Sequence, residues 1–244
     1  MTSNTLVTVM LPTRNRVELV NRSVQTLLEC AADPTSIEIS IAYDHDDQPS
    51  KDYFNSTAWT DFINRYGAST QVFETPAWGY IELHNYYNLL ASKAQGKWLL
   101  LWNDDALMQT KSWDVCLAEQ SDFVGMLHMT TTNFDKKLTL FPFIPRTWID
   151  IFGTLSLCNC NDSWIQDICH EAGAVKELPV NVIHDRFDVT GNNGDDTYQN
   201  RRYQKKIYKS DAMRQTRHEW ALRFMEYRAS NGACEPSIAQ TEPR

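Results

Sequence analysis

The stretch from Lys97 to Ala106, KWLLLWNDDA, is a short apolar run that ends in three polar residues, Asn103, Asp104 and Asp105. Five of the six residues from Trp98 to Asn103 are large and apolar, which is too few for a membrane span but suits a strand buried on both faces. Two adjacent carboxylates repel each other and raise each other's pKa unless a cation or solvent takes up their charge. The pattern therefore fits either a solvated turn or a cation-binding strand end.

The composition is that of an ordinary globular domain. The 244 residues are 42% hydrophobic and 22% charged, and 9 Gly with 9 Pro are too few for a fibrous or disordered chain. A single domain of this length buries roughly 70–75% of its unfolded surface. The 31 acidic residues against 23 basic ones give a net charge of −8, which argues against a nucleic-acid partner held by phosphate contacts. An anionic small molecule would need local arginines or a metal ion.

Membrane and secretion signals are missing from the sequence. No segment approaches the roughly 20 apolar residues of a transmembrane helix, and the N-terminus MTSNTLVTVM lacks the basic and apolar regions of a signal peptide. We therefore expect no transmembrane segment and a cytoplasmic protein. The six cysteines form no CxxC pair, so neither a zinc ribbon nor a disulfide scaffold is indicated, and we expect Cys158 and Cys160 to be core residues.

Strands and helices alternate over the first 105 residues. Strands are predicted at Leu6 to Leu11, Ile37 to Tyr43, Gln71 to Glu74 and from Trp98, helices at Val17 to Leu28 and Ile81 to Ala94, and an irregular segment before the third strand. This order predicts a parallel sheet with right-handed connections. Ligands bind at the carboxyl ends of such strands, where Arg14 and Arg16 follow the first strand, although two solvated arginines would give the same pattern.

The rest of the chain is predicted to continue the sheet and to end in a polar helix. Further helices are expected at Trp113 to Glu119, at Pro145 to Phe152, from Asn161, and at Asp211 to Arg228, with strands at Phe123 to Met129, Leu138 to Phe143 and Val180 to His184. The segment from Thr190 to Asp196, TGNNGDD, has the composition of a mobile loop. We expect it to act as a lid that orders over a bound ligand.

Five segments, in this order, resemble the GT-A glycosyltransferases, most closely the family 2 type that uses nucleotide sugars. They are VTVMLPTRNR at the first strand, IAYDHDD at the second, the run from Asn88 through Ala94 and Gly96 to Asp105, NDSWIQDICHEAG from Asn161, and VNVIH ending at His184. The resemblance covers about residues 5 to 186. It implies an α/β fold with a Rossmann-like nucleotide-binding half and a mixed, mostly parallel central sheet flanked by helices.

The resemblance also implies one domain over residues 1–230. Within it, 1–105 would be the nucleotide-binding half, 106–186 the acceptor and catalytic half, and 187–230 the lid loop and C-terminal helix, followed by a disordered tail at 231–244. The chain departs from the family pattern at three positions. Asn103 stands at the first acid of the Asp-x-Asp motif, Tyr87 replaces an Arg that often precedes the family's Asn, and Asn161 replaces the Glu of a Glu-Asp pair.

Roles for individual residues follow from the resemblance. Those implied to contact the nucleotide sugar are Pro12, Thr13, Arg14, Arg16, Asp44, Asn88, Asn103 and Asp104. Asp105 and His184 are implied to bind a divalent cation, Mn²⁺ or Mg²⁺, and the imidazole favours Mn²⁺. The Asp44-His45-Asp46 sequence is a rival metal site, and whether Asp46 or Asp47 acts as a ligand is left open. Asp162 is implied to be the catalytic base, unless it is the N-cap of its helix.

These residues predict a metal-dependent inverting glycosyltransferase that moves a hexose from a UDP-sugar to a hydroxyl acceptor, a glycan or another molecule. One alternative is a metal-dependent nucleotidyltransferase, which usually carries a Gly-rich phosphate loop that LPTRNR lacks. Another is a non-catalytic carbohydrate-binding module. We expect one or two of Trp78, Trp102, Trp148 and Trp164 to stack on a sugar ring. The sequence leaves the donor sugar, the acceptor and the oligomeric state open.

Overall fold

Eight strands form one mixed sheet in a computed structural model that describes residues 5–135, 138–192, 194–195 and 205–232, with side chains from 207 onward in the last range. The strands are β1 (Val7–Thr13), β2 (Ile37–Asp44), β3 (Ser69–Thr75), β4 (Trp98–Leu101), β5 (Ala106–Met108), β6 (Met126–Thr131), β7 (Phe143–Pro145) and β8 (Val175–His184). Their order in the sheet is β3-β2-β1-β4-β7-β6-β8-β5.

Helices cover the faces of this sheet. They are α1 (Val17–Cys30), α2 (Gln48–Phe54), α3 (Thr57–Asn64), α4 (Leu83–Lys93), α5 (Trp113–Ala118), α6 (Thr147–Phe152), α7 (Asn161–Glu171), α8 (Phe187–Thr190), α9 (Lys205–Tyr208) and α10 (Asp211–Ser230), with 3-10 turns at Pro34–Ser36 and Tyr80–Glu82. Among the described residues, no helix combines the length and the apolar character that a membrane crossing needs.

The first half of the sheet is parallel, which confirms the predicted α/β order. β1 pairs in parallel with β2 and β4, and β2 pairs in parallel with β3. Val9 and Leu11 of β1 belong to the apolar cluster that includes α1, whereas Met10 belongs to the cluster that includes α4. Because successive side chains of a strand point to opposite faces, β1 is buried between two helical layers.

The second half is mixed, and here several predicted boundaries are wrong. The strand predicted at Leu138 to Phe143 is wrong except for Phe143, since β7 occupies Phe143–Pro145. The strand predicted from Phe123 begins later, at Met126, and β8 begins five residues before the predicted Val180. β7 pairs antiparallel with β4 and β6, β8 pairs parallel with β6, and β5 pairs antiparallel with β8.

Several short elements, among them α2, α3 and β5, were not predicted from the sequence. The segment before β3, expected to be irregular, contains α2 and α3, and β5 follows the Asn103 to Asp105 stretch directly. The helices have 7 and 8 residues and the strand has 3, so each is shorter than the window in which a hydrophobic period can be recognised. The predicted lid is described only at residues 190–192 and 194–195, and the predicted tail only at 231–232; the remaining positions lie outside the described residues.

The link between β4 and β5 requires the sheet to curl. In the sheet order, three strands separate β4 from β5, which would put them about 19 Å apart in a flat sheet with about 4.8 Å between neighbours. Only residues 102–105 join them, and the link is not extended, because the Ala106 amide donates a hydrogen bond to the Asn103 carbonyl at 3.2 Å. The far edge of the sheet therefore lies back beside the end of β4.

Gly96 illustrates how closely the chain entering β4 packs on β1. A Cβ atom at this position would lie 2.3 Å from the Thr8 amide nitrogen and 2.6 Å from the Val7 carbonyl carbon. Both are backbone atoms of a central strand and cannot move aside cheaply. The glycine that the family resemblance singled out is thus required by this close approach.

We predict that Gly96→Ala lowers the free energy of unfolding by roughly 3 kcal/mol, because the new methyl group must displace the backbone of β1. Chemical denaturation followed by circular dichroism measures the change. Gly153→Ala is the matched control: Gly153 has φ of 75° and nothing within 4 Å of the added Cβ, so only backbone strain of about 1–2 kcal/mol is expected. A Gly96 variant no less stable than the Gly153 variant would contradict the packing argument.

Candidate functional site

A cleft lies at the carboxyl ends of the parallel strands. All of the predicted site residues except Asn88 line it: Pro12, Thr13, Arg14, Arg16, Asp44, Asn103, Asp104, Asp105, Asp162 and His184. They come from the end of β1 and the loop after it, the end of β2, the turn between β4 and β5, the first turn of α7 and the end of β8. Residues that lie far apart in the sequence thus share one concave surface, which is the usual position of a ligand in this type of sheet.

Asp104 is held between the first strand and the loop that follows it. Its carboxylate accepts hydrogen bonds from the Thr13 hydroxyl and from Arg16 Nη1, both at 2.9 Å, and only 5% of the residue is exposed. Burial, reinforced by the neighbouring charge of Asp105, raises the pKa of Asp104 to about 6, and Arg16 and Thr13 oppose this rise. Asp104 is therefore not the carboxylate of a solvated turn.

Asp105 and His184 form a buried pair. His184 Nε2 lies 3.0 Å from Asp105 Oδ1, and the two residues are 3% and 6% exposed. The antiparallel pairing of β5 with β8 sets this distance, because Ala106 lies opposite His184 and the Asp185 amide donates to the Asp105 carbonyl at 2.7 Å. His184 Nδ1 is buried and has no hydrogen-bond partner among the described residues. These residues also contain no group of three or more His, Cys, Asp or Glu side chains arranged to hold a metal.

Asp44 lies at the centre of a polar cluster on the opposite side of the loop. Its Oδ2 accepts from Arg14 Nη1 at 2.6 Å, and its Oδ1 accepts from the Tyr86 hydroxyl. Tyr86 in turn accepts a hydrogen bond from the Gly79 amide at 2.9 Å. Hydrogen bonds to Asp46 and Asp44 raise the pKa of Arg14 above its ordinary value. Asp44 thus has a fixed orientation, and the 79–83 segment is tied to it.

Asp46 and Asp47 have structural partners. Arg14 binds Asp46 with both terminal nitrogens, at 2.5 Å and 2.9 Å. Asp47 caps α2 by accepting from the Ser50 amide and also accepts from the Asn15 amide at 2.6 Å. Neither residue lines the cleft, so these contacts favour Asp105 over them as a metal ligand.

Asp162 is not a helix cap. The N-cap residue of α7 is Cys160, and Asp162 is the second residue of the helix, so the alternative prediction that Asp162 is the N-cap is wrong. The carboxylate accepts from the Ser163 amide at 2.7 Å and faces the cleft near Tyr87. Burial, followed by the negative charges of Asp162 and Asp104, raises the pKa of Tyr87, so its hydroxyl keeps its proton between these carboxylates.

The structure places Asn88 outside the cleft lining. Its side-chain oxygen accepts from the Leu155 and Ser156 amides at 3.0 Å and 3.1 Å, and its side-chain nitrogen donates to the Ser156 carbonyl at 3.0 Å. Asn88 therefore holds the loop that precedes α7. Its side chain does not line the cleft, where the predicted contact with a nucleotide sugar would be made. Its effect on the cleft is through the backbone that leads to Asp162.

Three of the four tryptophans proposed to stack on a sugar are core residues. Trp102, Trp148 and Trp164 are each 0% exposed and cannot stack on a ligand, so Trp78 alone of the four remains a candidate for the one or two expected to do so. Trp78 is half-buried and packs edge-on against Tyr86 with ring centroids 5.0 Å apart, but it does not line the cleft. Cys158 is buried, as expected, and Cys160 is half-buried at the start of α7.

The cleft lining also contains residues for which the sequence analysis predicted no contact with a ligand. Tyr80, Leu83, Tyr86, Tyr87, Asn159, Asn161 and Arg186 contribute to its lining. Arg186 follows the predicted metal ligand His184 by two residues. This position just beyond the end of a strand is the feature of the sequence from which its place in the cleft could have been predicted. Tyr86 and Tyr87 lie in α4. The spacing of apolar residues in this helix predicted core positions, and it did not indicate that these two side chains line the cleft.

Comparison with solved structures identifies the fold. The chain superposes on S. aureus TarS 1-349 in complex with UDP with a TM-score of 0.55 and 12% identity, covering 92% of this chain and 72% of TarS 1-349. For TarS 1-349 with UDP-GlcNAc the values are 0.55, 13%, 92% and 73%. For the mannosyltransferase PcManGT from Pyrobaculum calidifontis, in complex with GDP-Man and Mn²⁺, they are 0.61, 16%, 95% and 76%.

These likenesses show that the chain has the GT-A fold found in nucleotide-sugar glycosyltransferases, as the resemblance implied. No protein-family model matches the sequence, and no curated protein matches it either. At 12–16% identity the similarity establishes the fold alone. The chemistry of the cleft must be argued from its residues.

We predict that Asp104 makes the protein less stable as pH rises, which is the opposite of the usual effect of a carboxylate whose pKa is lowered by folding. Its pKa is raised from 3.8 to about 6, so between these values the folded chain binds more protons than the unfolded one, and the free energy of unfolding falls as pH rises. Relative to Asp104→Asn, the wild type should lose about 2 kcal/mol between pH 4 and pH 7. Denaturant unfolding in a metal-free chelating buffer measures both proteins; parallel pH profiles would contradict the raised pKa.

Proposed function

We propose that this chain is a metal-dependent glycosyltransferase that moves a hexose from a UDP-sugar to a hydroxyl acceptor with inversion at the anomeric carbon. The observation that carries the proposal is the meeting, in one cleft, of the Asp105–His184 pair, the separate carboxylate of Asp162 and the arginine-bearing loop after β1. Structures with the same fold hold UDP, UDP-GlcNAc, or GDP-Man with Mn²⁺, which supports this use of the cleft.

The donor nucleotide is assigned to the side of the cleft formed by β1 and β2. Pro12 and Thr13 end β1, and the loop after them supplies the two cations Arg14 and Arg16. Asp44 supplies an oriented carboxylate that can accept an N–H from a base. Asn103 and Asp104, in the turn after β4, would face the ribose or the donor sugar. In an acidic chain these arginines are the local positive charge that a diphosphate requires.

The Asp105–His184 pair fits a divalent cation. Neighbouring ligands of an octahedral ion, each about 2.1 Å from the metal, lie about 3 Å apart, which matches the 3.0 Å between His184 Nε2 and Asp105 Oδ1. With two protein ligands, the remaining positions would be taken by diphosphate oxygens and water. A nitrogen ligand favours Mn²⁺ over Mg²⁺.

A bound cation would neutralise the charge that develops on the diphosphate leaving group. The chain's own contribution to the transfer is the position of Asp162. We assign Asp162 the role of general base that takes the proton of the acceptor hydroxyl while its oxygen bonds to the anomeric carbon. The bond from that carbon to the diphosphate breaks, and UDP leaves with the electron pair. A direct displacement of this kind inverts the configuration.

The division of the chain into functional parts is part of the proposal. Residues 1–105 would bind the donor, 106–186 would bind the acceptor and carry the base, and 187–230 would contain the lid and the C-terminal helix. The lid assignment gains support from Asp195, whose carboxylate reaches Arg16 in the cleft. Asp188 in the same region holds Arg186, another residue of the cleft lining.

A screen of nucleotide sugars, read as released nucleoside diphosphate, tests the proposed activity. UDP-sugars and GDP-sugars should both be included, since solved structures with this fold hold either kind. Release of UDP supports a glycosyltransferase, whereas release of pyrophosphate from a nucleoside triphosphate and a sugar phosphate would support the nucleotidyltransferase alternative. A chain that binds free sugars in calorimetry but never binds a nucleotide would be a carbohydrate-binding module instead.

We predict that UDP binding requires a divalent cation, because Asp105 and His184 reach the diphosphate only through it. Calorimetric titration with Mn²⁺ and with a chelator measures the effect, and Asp105→Ala should abolish it. Asp46→Asn is the control for the rival site, since Asp46 is exposed and bound to Arg14. Its metal dependence should equal that of the wild type. UDP affinity that is unchanged by the chelator would remove the metal from the proposal.

We predict that Asp162→Asn folds, binds UDP with metal, and transfers sugar at least about a hundredfold more slowly, the usual scale of a general base. The amide cannot accept the proton, although its shape and hydrogen bonding are close to those of the carboxylate. Asp167→Asn, on the same helix but bound to Arg217, is the matched control and should keep its activity. Near-normal turnover of Asp162→Asn would disprove the role, and so would a product that NMR shows to retain the donor configuration.

A further inference from the structure

Each arginine of the cleft lining is bound by a carboxylate from outside that lining. Arg14 binds Asp46, Arg16 binds Asp195 and Arg186 binds Asp188, in each case through two nitrogens of the guanidinium group and both carboxylate oxygens. The three aspartates have 47%, 41% and 37% of their side chains exposed. An incoming anion therefore meets arginines whose hydrogen-bonding edges already hold carboxylates.

The Arg16–Asp195 pair differs from the other two in its position. Arg16 Nε and Nη2 donate to the two Asp195 oxygens at 2.6 Å each, while Nη1 donates to Asp104 at 2.9 Å. The Arg16 side chain is only 11% exposed, against 42% for Arg14. The Arg186 side chain is similarly buried at 13%, but Arg16 combines this burial with a hydrogen bond to a carboxylate of the cleft lining, Asp104. Nη1 of the guanidinium thus contacts Asp104 in the cleft lining, and the edge formed by Nε and Nη2 is occupied by Asp195.

This outward edge is a favourable place for a phosphate group. Arg16 is the N-cap residue of α1, a helix of 14 residues that has no side-chain cap, so the backbone of Arg16 lies at the positive end of the helix. A tetrahedral phosphate group can present two of its oxygens to the two guanidinium nitrogens, as a carboxylate does, and it can carry more negative charge. Through Asp104, Arg16 is also connected directly to the turn that carries Asp105.

The segment that carries Asp195 has a second anchor that does not involve the cleft. The Asn192 side chain donates to Asp185 Oδ1 at 2.8 Å, and Asp185 also binds Arg22 of α1. The base of the segment can therefore stay attached to α1 when the contact between Asp195 and Arg16 is broken. The contact between Asp195 and Arg16 is thus the one that a phosphate group at Arg16 would have to replace.

We propose that Asp195 is an internal competitor for the diphosphate of the donor: its carboxylate holds the anion position of Arg16, and nucleotide binding exchanges it for a phosphate. This inference rests on the proposed function, because it takes a nucleoside diphosphate as the ligand. It changes the expected action of the lid, since the segment already contacts the cleft through Asp195 and must be displaced there before it can cover the donor. Donor binding is then coupled to a rearrangement of residues 194–195.

Asp195→Asn tests the exchange, because the amide keeps the shape of the side chain but no longer offers two anionic oxygens to Arg16. We expect this variant to bind UDP, and inorganic pyrophosphate as a probe without a base, at least about fivefold more tightly than the wild type in calorimetry with Mn²⁺ present. The gain should shrink at high salt, since the competing ion pair is partly exposed. Asp195→Ala serves as a second variant if the amide forms a new hydrogen bond.

Two controls assign the effect to Arg16. Asp188→Asn removes the same charge from the same region of the chain, and less than a twofold change in affinity is expected for it. In the Arg16→Gln background, addition of Asp195→Asn should change the affinity by less than twofold, because a double-mutant cycle isolates the shared contact. Circular dichroism confirms that each variant is folded.

The outcomes separate the two proposals. UDP affinity that is equal or weaker in Asp195→Asn, or a similar gain in Asp188→Asn, would overturn the internal competitor while leaving the glycosyltransferase proposal intact. A folded wild type and variant that both fail to bind UDP, GDP and pyrophosphate with Mn²⁺ would overturn the proposed nucleotide site, and the competitor with it. A fivefold gain that disappears in the Arg16→Gln background would support both.

Discussion

The link of residues 102–105 is the constraint on which the rest of the structure depends. It carries the chain from β4, in the middle of the sheet, to β5, at its edge, within a closed turn. That connection is possible only if the sheet curls, and the curl brings β8 beside the end of β4. Asp105 then lies 3.0 Å from His184, although 79 positions separate them in the sequence. The geometry of the cleft is thus a direct result of chain connectivity.

Charge compensation is the second principle of the cleft. A chain with a net charge of −8 concentrates acids and arginines at one edge of its sheet, and the two kinds of side chain pair with each other. Asp104 shows the cost of burying such an acid, because its pKa stays raised even with Arg16 beside it. The proposed exchange at Arg16 requires a ligand with a stronger anionic group than a carboxylate. A diphosphate is such a ligand.

Most of the fold was predictable because its first half repeats a simple alternation. The apolar strands β1, β2 and β4 and the amphipathic helices α1 and α4 each carry a clear hydrophobic period, and their order leaves a parallel sheet as the expected result. Prediction was poorer where elements are short. β5, α2 and α3 have too few residues to show a period, and Phe143–Pro145 forms a strand because β4 and β6 offer it edges to pair with.

The sequence by itself determined which polar residues follow strand ends, and therefore which side chains meet at one edge of the sheet: Arg14, Arg16, Asp44, Asp104, Asp105 and His184. This was possible because the carboxyl ends of parallel strands share an edge. Only the tertiary structure decided how they pair. In the folded chain the Asn88 side chain binds the backbone at Leu155, three of the four tryptophans are buried, and Asp195 contacts Arg16. Such pairings depend on distances across the curled sheet, which no local pattern of residues encodes.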